Sequence, residues 1–397
     1  MNIWIIQEFI IFGKRGFGMI RETELPAAQD GRTDALPEQA AYDPARLAVL
    51  DEHLSEMIRQ NKLQCGSYLL ARDGRIFAHR AIGKLTHREG SPDLMPDSIR
   101  KTYSVTKFFT AVAVMQLVEE GKLYLDQSVS TVLKPFDTPL HKSITVFHLL
   151  THTSGVYPDP GCLMEPYPTA WFGELKGYDD WITNAISGPL LGKPGEQYAY
   201  SSCGYAILGE IIGKVSGIPY EQFIIRRIVK PLGMTRTFFE VPAHLYDEVC
   251  VTDDWQTQEL QFRRDSPDMP PPAGGGLFST LEDMWKLGQM MQNGGTFDNA
   301  RILSRKSVEA MTKNKLSGVK TQVWGSDVSD YEFGLGLFLT TPTIETPGTY
   351  GHEGFGRCGI KVDPAERFVA VFIVPTGIQW APESVIGTKA IIWSGLL

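Results

Sequence analysis

The apolar positions Leu47, Leu50, Leu54, Met57 and Ile58 recur at intervals of three and four, which puts one stripe on a helix. Asp43-Pro44 lies just ahead of them. The acid caps free N–H groups and proline fits the first turn, so the helix is predicted to open there. The period then changes. Ser67–Arg72 and Arg75–Ile82 are strand-like runs separated by Asp73-Gly74, a pair that favours the type I′ turn of a β-hairpin. Val105–Glu120 returns to helical spacing, with Phe108, Ala111, Val112, Met115 and Val118 on an apolar face, and Gly121 ends it. Shorter helices are predicted over Thr145–Thr151, Tyr205–Ser216, Tyr220–Val229 and Arg305–Asn314. Another opens at Ser279, where Ser279 and Glu282 have capping-box spacing. Phe333–Leu339, Gly359–Val362 and Phe368–Val374 read as strands, the last two joined by the turn Asp363-Pro364-Ala365-Glu366. Glu383–Leu397 reads as a closing apolar helix.

Strands at both ends around a helical middle imply an α+β fold, an antiparallel β-sheet flanked by helices with an inserted all-α domain. The expected division is a leader and polar tail over 1–42, a sheet domain of 43–100 plus 290–397, and a mostly helical domain of 101–289, with the active site at the interface. Residues 1–13 are apolar but interrupted by Glu8, and Lys14 and Arg15 follow rather than precede them. That order is the reverse of a secretory signal, and the run is too short to span a bilayer. An extra leader ahead of a start at Met19 is the preferred reading, with a weak anchor or atypical export signal as the alternative.

Composition narrows the function classes. The chain has 397 residues and a net charge of 38 − 46 = −8, which disfavours a nucleic-acid partner. Its 20 Phe, 14 Tyr and 8 Trp supply ample core and exclude disorder over the whole chain. The five cysteines show no CxxC spacing, which argues against a disulfide framework and a structural zinc site. Free thiols suit a reducing compartment, so a cytoplasmic location is expected, with export through the atypical leader as the alternative. A membrane partner is disfavoured. Oligomeric state is not legible.

Three segments carry candidate chemistry. Ser104-Val105-Thr106-Lys107 opens the long helix, and residues three apart on a helix are neighbours. A serine hydroxyl needs a nearby base, and a desolvated lysine can be one. The helix N-terminus adds free N–H groups for a developing oxyanion. A capping serine beside a solvated lysine is the plain alternative. The second match, Ser317-Gly318-Val319-Lys320, has no such helix after it and reads as surface. Tyr200-Ser201-Ser202 precedes another helix and can present a phenol for proton relay, or simply a core aromatic. Gly351-His352-Glu353-Gly354-Phe355-Gly356 lets a substrate approach the backbone, with the Phe355 N–H as a second oxyanion donor, or is a structural turn. His352-Glu353 lacks the second histidine of a zinc HExxH site. His148 and His152 are four apart but have no evident third ligand, and no GxSxG elbow is present.

In this order and spacing the three segments resemble the motifs of the serine β-lactamase and penicillin-binding protein superfamily, and are most similar to its class C-like branch. Glu120-Gly121-Lys122-Leu123, Ile144–Gly155, Lys193-Pro194-Gly195, Lys230–Met234 and Ala273–Thr280 support the likeness, which covers roughly residues 45–395. The resemblance implies a β-lactamase/transpeptidase-like fold and an acyl-enzyme on Ser104. Lys107 and Tyr200 would share the general-base and relay work, and the N–H groups of Ser104 and Phe355 would form the oxyanion hole. No metal or organic cofactor is implied. Class C lactamases carry Tyr-x-Asn and Lys-Thr-Gly where this chain has Ser202 and His352-Glu353. Losing the lysine removes a permanent cation, and Glu353 would add repulsion if it pointed inward, so carboxylate recognition is weakened. Ser202, His352, Glu353 and Gly354 are the expected substrate contacts. The aromatic loop Tyr157–Trp181, with Trp171 and Phe172, is expected to wall an apolar acyl pocket. The expected activity is a carboxylesterase acting on small-molecule esters. A D-stereospecific peptidase, DD-carboxypeptidase or penicillin-binding protein is the alternative, and an acyltransferase or a non-catalytic binding module the third.

Overall fold

The computed structural model describes residues 27–160, 181–265, 272–323, 326–328, 330–339, 344–376 and 381–397. Its first long helix starts where the sequence predicts. Asp43 accepts a hydrogen bond from the Ala45 N–H at 2.9 Å, and Pro44 begins helix α1, Pro44–Arg59. The five residues of the apolar stripe are all buried, at about 2 kcal/mol each from removal of apolar surface before entropic costs.

Seven strands form one sheet: β1 Gln29–Asp30, β2 Cys65–Arg72, β3 Arg75–Gly83, β4 Phe338–Leu339, β5 Tyr350–Gly354, β6 Cys358–Asp363 and β7 Phe368–Ile373. Their order is β1-β3-β2-β7-β6-β5-β4, antiparallel throughout. The β2–β3 turn has Asp73 at φ 53° and Gly74 at φ 76°, the left-handed pair that a type I′ turn requires. The stretch before residue 43, read as a tail, is docked from residue 29 onward. Gln29 pairs with Ala81 and Asp30 with Arg80, while buried Tyr42 donates to the Ile392 carbonyl at 2.9 Å.

The remaining labelled helices are α2 Thr106–Glu119, α3 Val146–Leu150, α4 Ser202–Ser216, α5 Asp254–Asp265, α6 Leu281–Gln292 and α7 Thr388–Trp393. Strand alternation divides the core. Tyr68, Leu70, Phe368, Ala370 and Phe372 join α1 and α7 on one face of the sheet. Leu69, Ala71, Val369 and Val371 join α6 and the α2–α4 helical layer on the other. At Gly288 of α6 a Cβ would come within 2.8 Å of Val369, so this helix lies directly on the sheet although it straddles residue 289.

Several sequence expectations shift. Helix α2 is not amphipathic: Lys107, Thr110 and Gln116 are buried along with its apolar face, because neighbours cover it on all sides. Thr110 donates to the Ala273 carbonyl at 2.7 Å and Gln116 to the Ile302 carbonyl at 3.0 Å. The cap of α6 is Thr280, whose hydroxyl accepts from the Asp283 N–H; Ser279 is drawn into the short strand Phe278–Ser279. Of Phe333–Leu339 only Phe338–Leu339 pairs in the sheet. Gly334 abuts the Met311 carbonyl and Gly336 turns at φ 78°. The closing α-helix is confined to Thr388–Trp393, preceded by a wider turn over Glu383–Gly387. The short strand Ile99–Lys101 lies between Val249–Cys250 and Phe278–Ser279 and delivers the chain to Ser104.

Candidate active site

Thr102 ties the end of that strand down, its N–H and hydroxyl both donating to the Leu277 carbonyl at 2.8 and 3.0 Å. Tyr103 follows at φ 47°, a left-handed conformation that costs a bulky residue about 1–3 kcal/mol. Packing holds it there. Its ring stacks on Trp255 of α5 at 6.4 Å, meets Phe355 edge-on at 5.8 Å, and lies against Gly356, where a Cβ would be 2.7 Å from the ring. Lys101 ion-pairs with Glu259 and so fastens α5 beside the turn. Tyr103–Val105 make one tight 3₁₀ turn that runs into α2, placing Ser104 at the positive end of the helix.

Lys107, one turn on, is completely buried. Its Nζ lies 3.1 Å from Ser104 Oγ, 3.0 Å from Ser202 Oγ and 2.8 Å from the Gly274 carbonyl oxygen. It also sits over the rings of Tyr200 and Tyr205, 4.8 and 5.6 Å from their centroids. Ser201 caps α4 by accepting from the Gly204 N–H at 3.0 Å, which fixes the turn that carries Tyr200. The His152 ring packs 4.3 Å from Tyr200, and its Nδ1 accepts from the Ser201 N–H at 3.0 Å. His148 has a separate task, its Nδ1 accepting from the Thr145 N–H at the start of α3.

The sequence reading missed two members of this cluster. Asp159 is buried, and its carboxylate accepts from both the N–H and the hydroxyl of Ser202, each at 2.7 Å. Its own N–H donates to the Tyr200 carbonyl at 2.8 Å. Burial pushes its pKa up, against the pull of Lys107 and the Ser202 bonds. A lone acid in a proline-rich loop carries no motif. Gly274 contributes only a carbonyl, which has no side-chain signature, although its segment supports the family likeness.

Strand β5 closes the other side. His352 is buried with its ring 4.6 Å from Phe338 and 6.4 Å from Tyr200. Burial, reinforced by Lys107, lowers its pKa to about 3, so it is neutral at pH 7. Glu353 lies on the opposite face of the strand, beside α7. Its carboxylate is 3.0 Å from Lys389 and 3.2 Å from Lys361, and both lysines also approach Glu345. Burial pushes the Glu353 pKa up, but Lys361 and Lys389 hold it down to about 2. Its charge is thus compensated away from the Ser104 side. At Gly354 a Cβ would be 2.4 Å from the Thr102 carbonyl and 3.2 Å from the Ser104 nitrogen, so glycine lets β5 lie on the serine turn. The next amide along β5 is that of Phe355, whose ring meets Tyr103 edge-on at 5.8 Å. Trp171 and Phe172 lie outside the described residues. Among the described residues, half-exposed Phe355 and Trp255, which is 54% exposed, pack against Tyr103, the residue before Ser104.

The structure thus brings together a hydroxyl, an amine and the ring of a tyrosine, with the backbone of β5 packed against the serine turn at Gly354. This set can pass a proton from a nucleophile and stabilise an oxyanion. Known proteins share the framework. The Beta-lactamase family model matches residues 50–377. An uncharacterized protein of Mycobacterium tuberculosis is 31% identical over 332 residues, covering 75% of this chain and 81% of that protein. An Escherichia coli protein provisionally named a D-alanyl-D-alanine carboxypeptidase is 26% identical over 383 residues, covering 86% of this chain and 85% of its own. Among solved structures, a family VIII carboxylesterase superposes with a TM-score of 0.68 at 20% identity, covering 91% of this chain and 99% of the other.

Proposed function

This chain belongs to the beta-lactamase family of serine hydrolases, and from that premise we propose that it is a carboxylesterase working through an acyl-enzyme on Ser104. In this reading Ser104 Oγ attacks the ester carbonyl carbon, and its proton passes into the Lys107–Tyr200 pair, 3.1 Å from Ser104 at the amine. The N–H groups of Ser104 and Phe355 take the oxyanion. Collapse expels the alcohol, which leaves with the returned proton, and water then releases the acid by the reverse route.

The observation that carries the ester preference is the state of His352. It stands where related lactamases have the lysine of Lys-Thr-Gly, and burial keeps it neutral. A substrate carboxylate then meets no fixed cation at this position, and Glu353 is engaged by two lysines on the far face. An uncharged ester loses nothing by this. Exposed Trp255 and Phe355 offer apolar surface around Tyr103, the residue before the serine. The second reading, a D-stereospecific peptidase, has in its favour the name of the Escherichia coli relative. Assays of a short-chain p-nitrophenyl ester, a chromogenic cephalosporin and a D-alanyl dipeptide beside Ser104→Ala separate the two. Turnover of the ester alone, lost in Ser104→Ala, is the expected result; turnover confined to the dipeptide selects the peptidase.

A further inference from the structure

We propose that Cys65 and Cys250 are a modification site, a dithiol that a peroxide closes into a disulfide and that thereby slows the hydrolase. The two sulfurs lie 3.7 Å apart and both residues are buried, although 185 positions separate them in the chain. Cys65 opens β2 and Cys250 ends the short strand Val249–Cys250. A bond between their neighbours holds the two segments together, Gln64 Nε2 donating to the Val251 carbonyl at 3.2 Å. Arg100 decides which sulfur reacts. It is buried, stands opposite Cys250 on the adjoining strand, and donates from Nη1 to Cys250 Sγ at 3.1 Å. Among the described residues its Nε and Nη2 find no hydrogen-bond partner, and no carboxylate bonds to it. A guanidinium keeps its charge in a protein, and a buried charge needs a counter-charge. Cys358 does not supply one: its thiol donates to the Thr102 carbonyl at 3.1 Å, and burial pushes it up to about 12. Burial also pushes the Tyr103 phenol up. Cys250 is left as the anion. The hydrogen bond from Cys65 lowers its pKa and the Arg100 charge lowers it further, against burial. The same bond, with burial, pushes Cys65 up, so Cys65 keeps its proton.

The thiolate is the nucleophilic form of cysteine. Cys250 Sγ attacks one oxygen of hydrogen peroxide; the S–O bond forms, the O–O bond breaks, and hydroxide leaves and takes up a proton to become water. Cys65 Sγ then attacks the sulfenic sulfur; the S–S bond forms, the S–O bond breaks, and the thiol proton leaves with the hydroxyl group as a second water. The two electrons lost by the thiols reduce the peroxide. A disulfide is neutral, so Arg100 loses its counter-charge. The Arg100 strand, Ile99–Lys101, delivers the chain to Ser104. Its Nη2 lies 3.6 Å from where a Cβ on Gly356 would sit, and the same Cβ would be 2.7 Å from the Tyr103 ring. Oxidation therefore unbalances the support beneath the Ser104 turn. The link to turnover rests on the reading of Ser104 as the nucleophile; the disulfide does not.

The test uses the full chain with two readouts. Protein treated with hydrogen peroxide is alkylated and mapped by mass spectrometry without reduction, while ester turnover and fluorophosphonate labelling of Ser104 are followed in parallel. Wild type is expected to yield a linked peptide pair, Cys65 with Cys250, two hydrogens lighter than the thiols. Its turnover is expected to fall about tenfold or more, and dithiothreitol to restore both mass and turnover. Cys65→Ala cannot close the bond. It is expected to start within about twofold of wild type and to trap the sulfenic acid on Cys250, read as a dimedone adduct. Cys65→Ser takes its place if alanine impairs folding. Peroxide-treated wild type without the linked pair overturns the proposal, and a linked pair with unchanged turnover and labelling overturns its control of the site. A linked pair that slows labelling in a protein hydrolysing no ester supports the proposal and overturns the esterase reading alone.

Discussion

Gly354 and Ser104 meet backbone to backbone: a Cβ on Gly354 would lie 3.2 Å from the Ser104 nitrogen and 2.4 Å from the Thr102 carbonyl. Gly354 does not have a positive φ; what the glycine supplies is clearance. Gly354→Ala should push β5 off the serine turn and part the Ser104 and Phe355 amides. The expected result is a loss of about 100-fold or more in kcat, the scale of one lost oxyanion donor. Steady-state kinetics on a p-nitrophenyl ester check it, and an unchanged kcat argues against an oxyanion hole at this seam.

Lys107 is the buried base of the proposed reaction, so Lys107→Met should separate chemistry from packing. Methionine fills most of the volume and leaves no charge to bury. Turnover should fall at least 1,000-fold while the thermal midpoint stays near that of wild type or rises. Intact-mass measurement after a fluorophosphonate challenge reads the same loss as failure to label Ser104.

The buried His352 and the paired Glu353 make stability depend on pH. The folded His352 binds a proton only near pH 3, against about 6.5 when unfolded, so the unfolded chain binds more protons between those values. Stability is therefore full above about 6.5 and declines as pH falls toward 3. Glu353, held at about 2 by its lysines, adds a decline in the same direction between about 4.5 and 2. Each group contributes at most about 1.4 kcal/mol per pH unit. Urea midpoints at pH 7, 5.5 and 4.5 should fall in that order, and the slope should flatten in His352→Gln.

Trp255 stacks on Tyr103 at the rim yet is 54% exposed, so it adds little to the core. Trp255→Ala should raise KM for a longer-chain ester about fivefold, near the value of losing about 1 kcal/mol of apolar contact, and change KM for the acetate far less. Equal effects on both esters would place the acyl chain elsewhere.

What the sequence determined by itself is the short-range geometry. Ser104 and Lys107 face each other at 3.1 Å because residues three apart on a helix must. Asp43 caps α1 and Asp73-Gly74 turns the hairpin because each requirement is met within four residues. Even here a neighbouring competitor could shift the outcome, as when Ser279 joined a strand and left the cap to Thr280. Tertiary structure decided everything that depends on distant partners. Asp159 reaches Ser202 across 43 residues, and the Gly274 carbonyl reaches Lys107 across 167. The covering of α2, the neutrality of His352 and the pairing of Glu353 with Lys361 and Lys389 were likewise invisible in local spacing. The physical reason is that backbone geometry acts over a few residues, whereas burial and charge compensation depend on whatever the fold packs alongside.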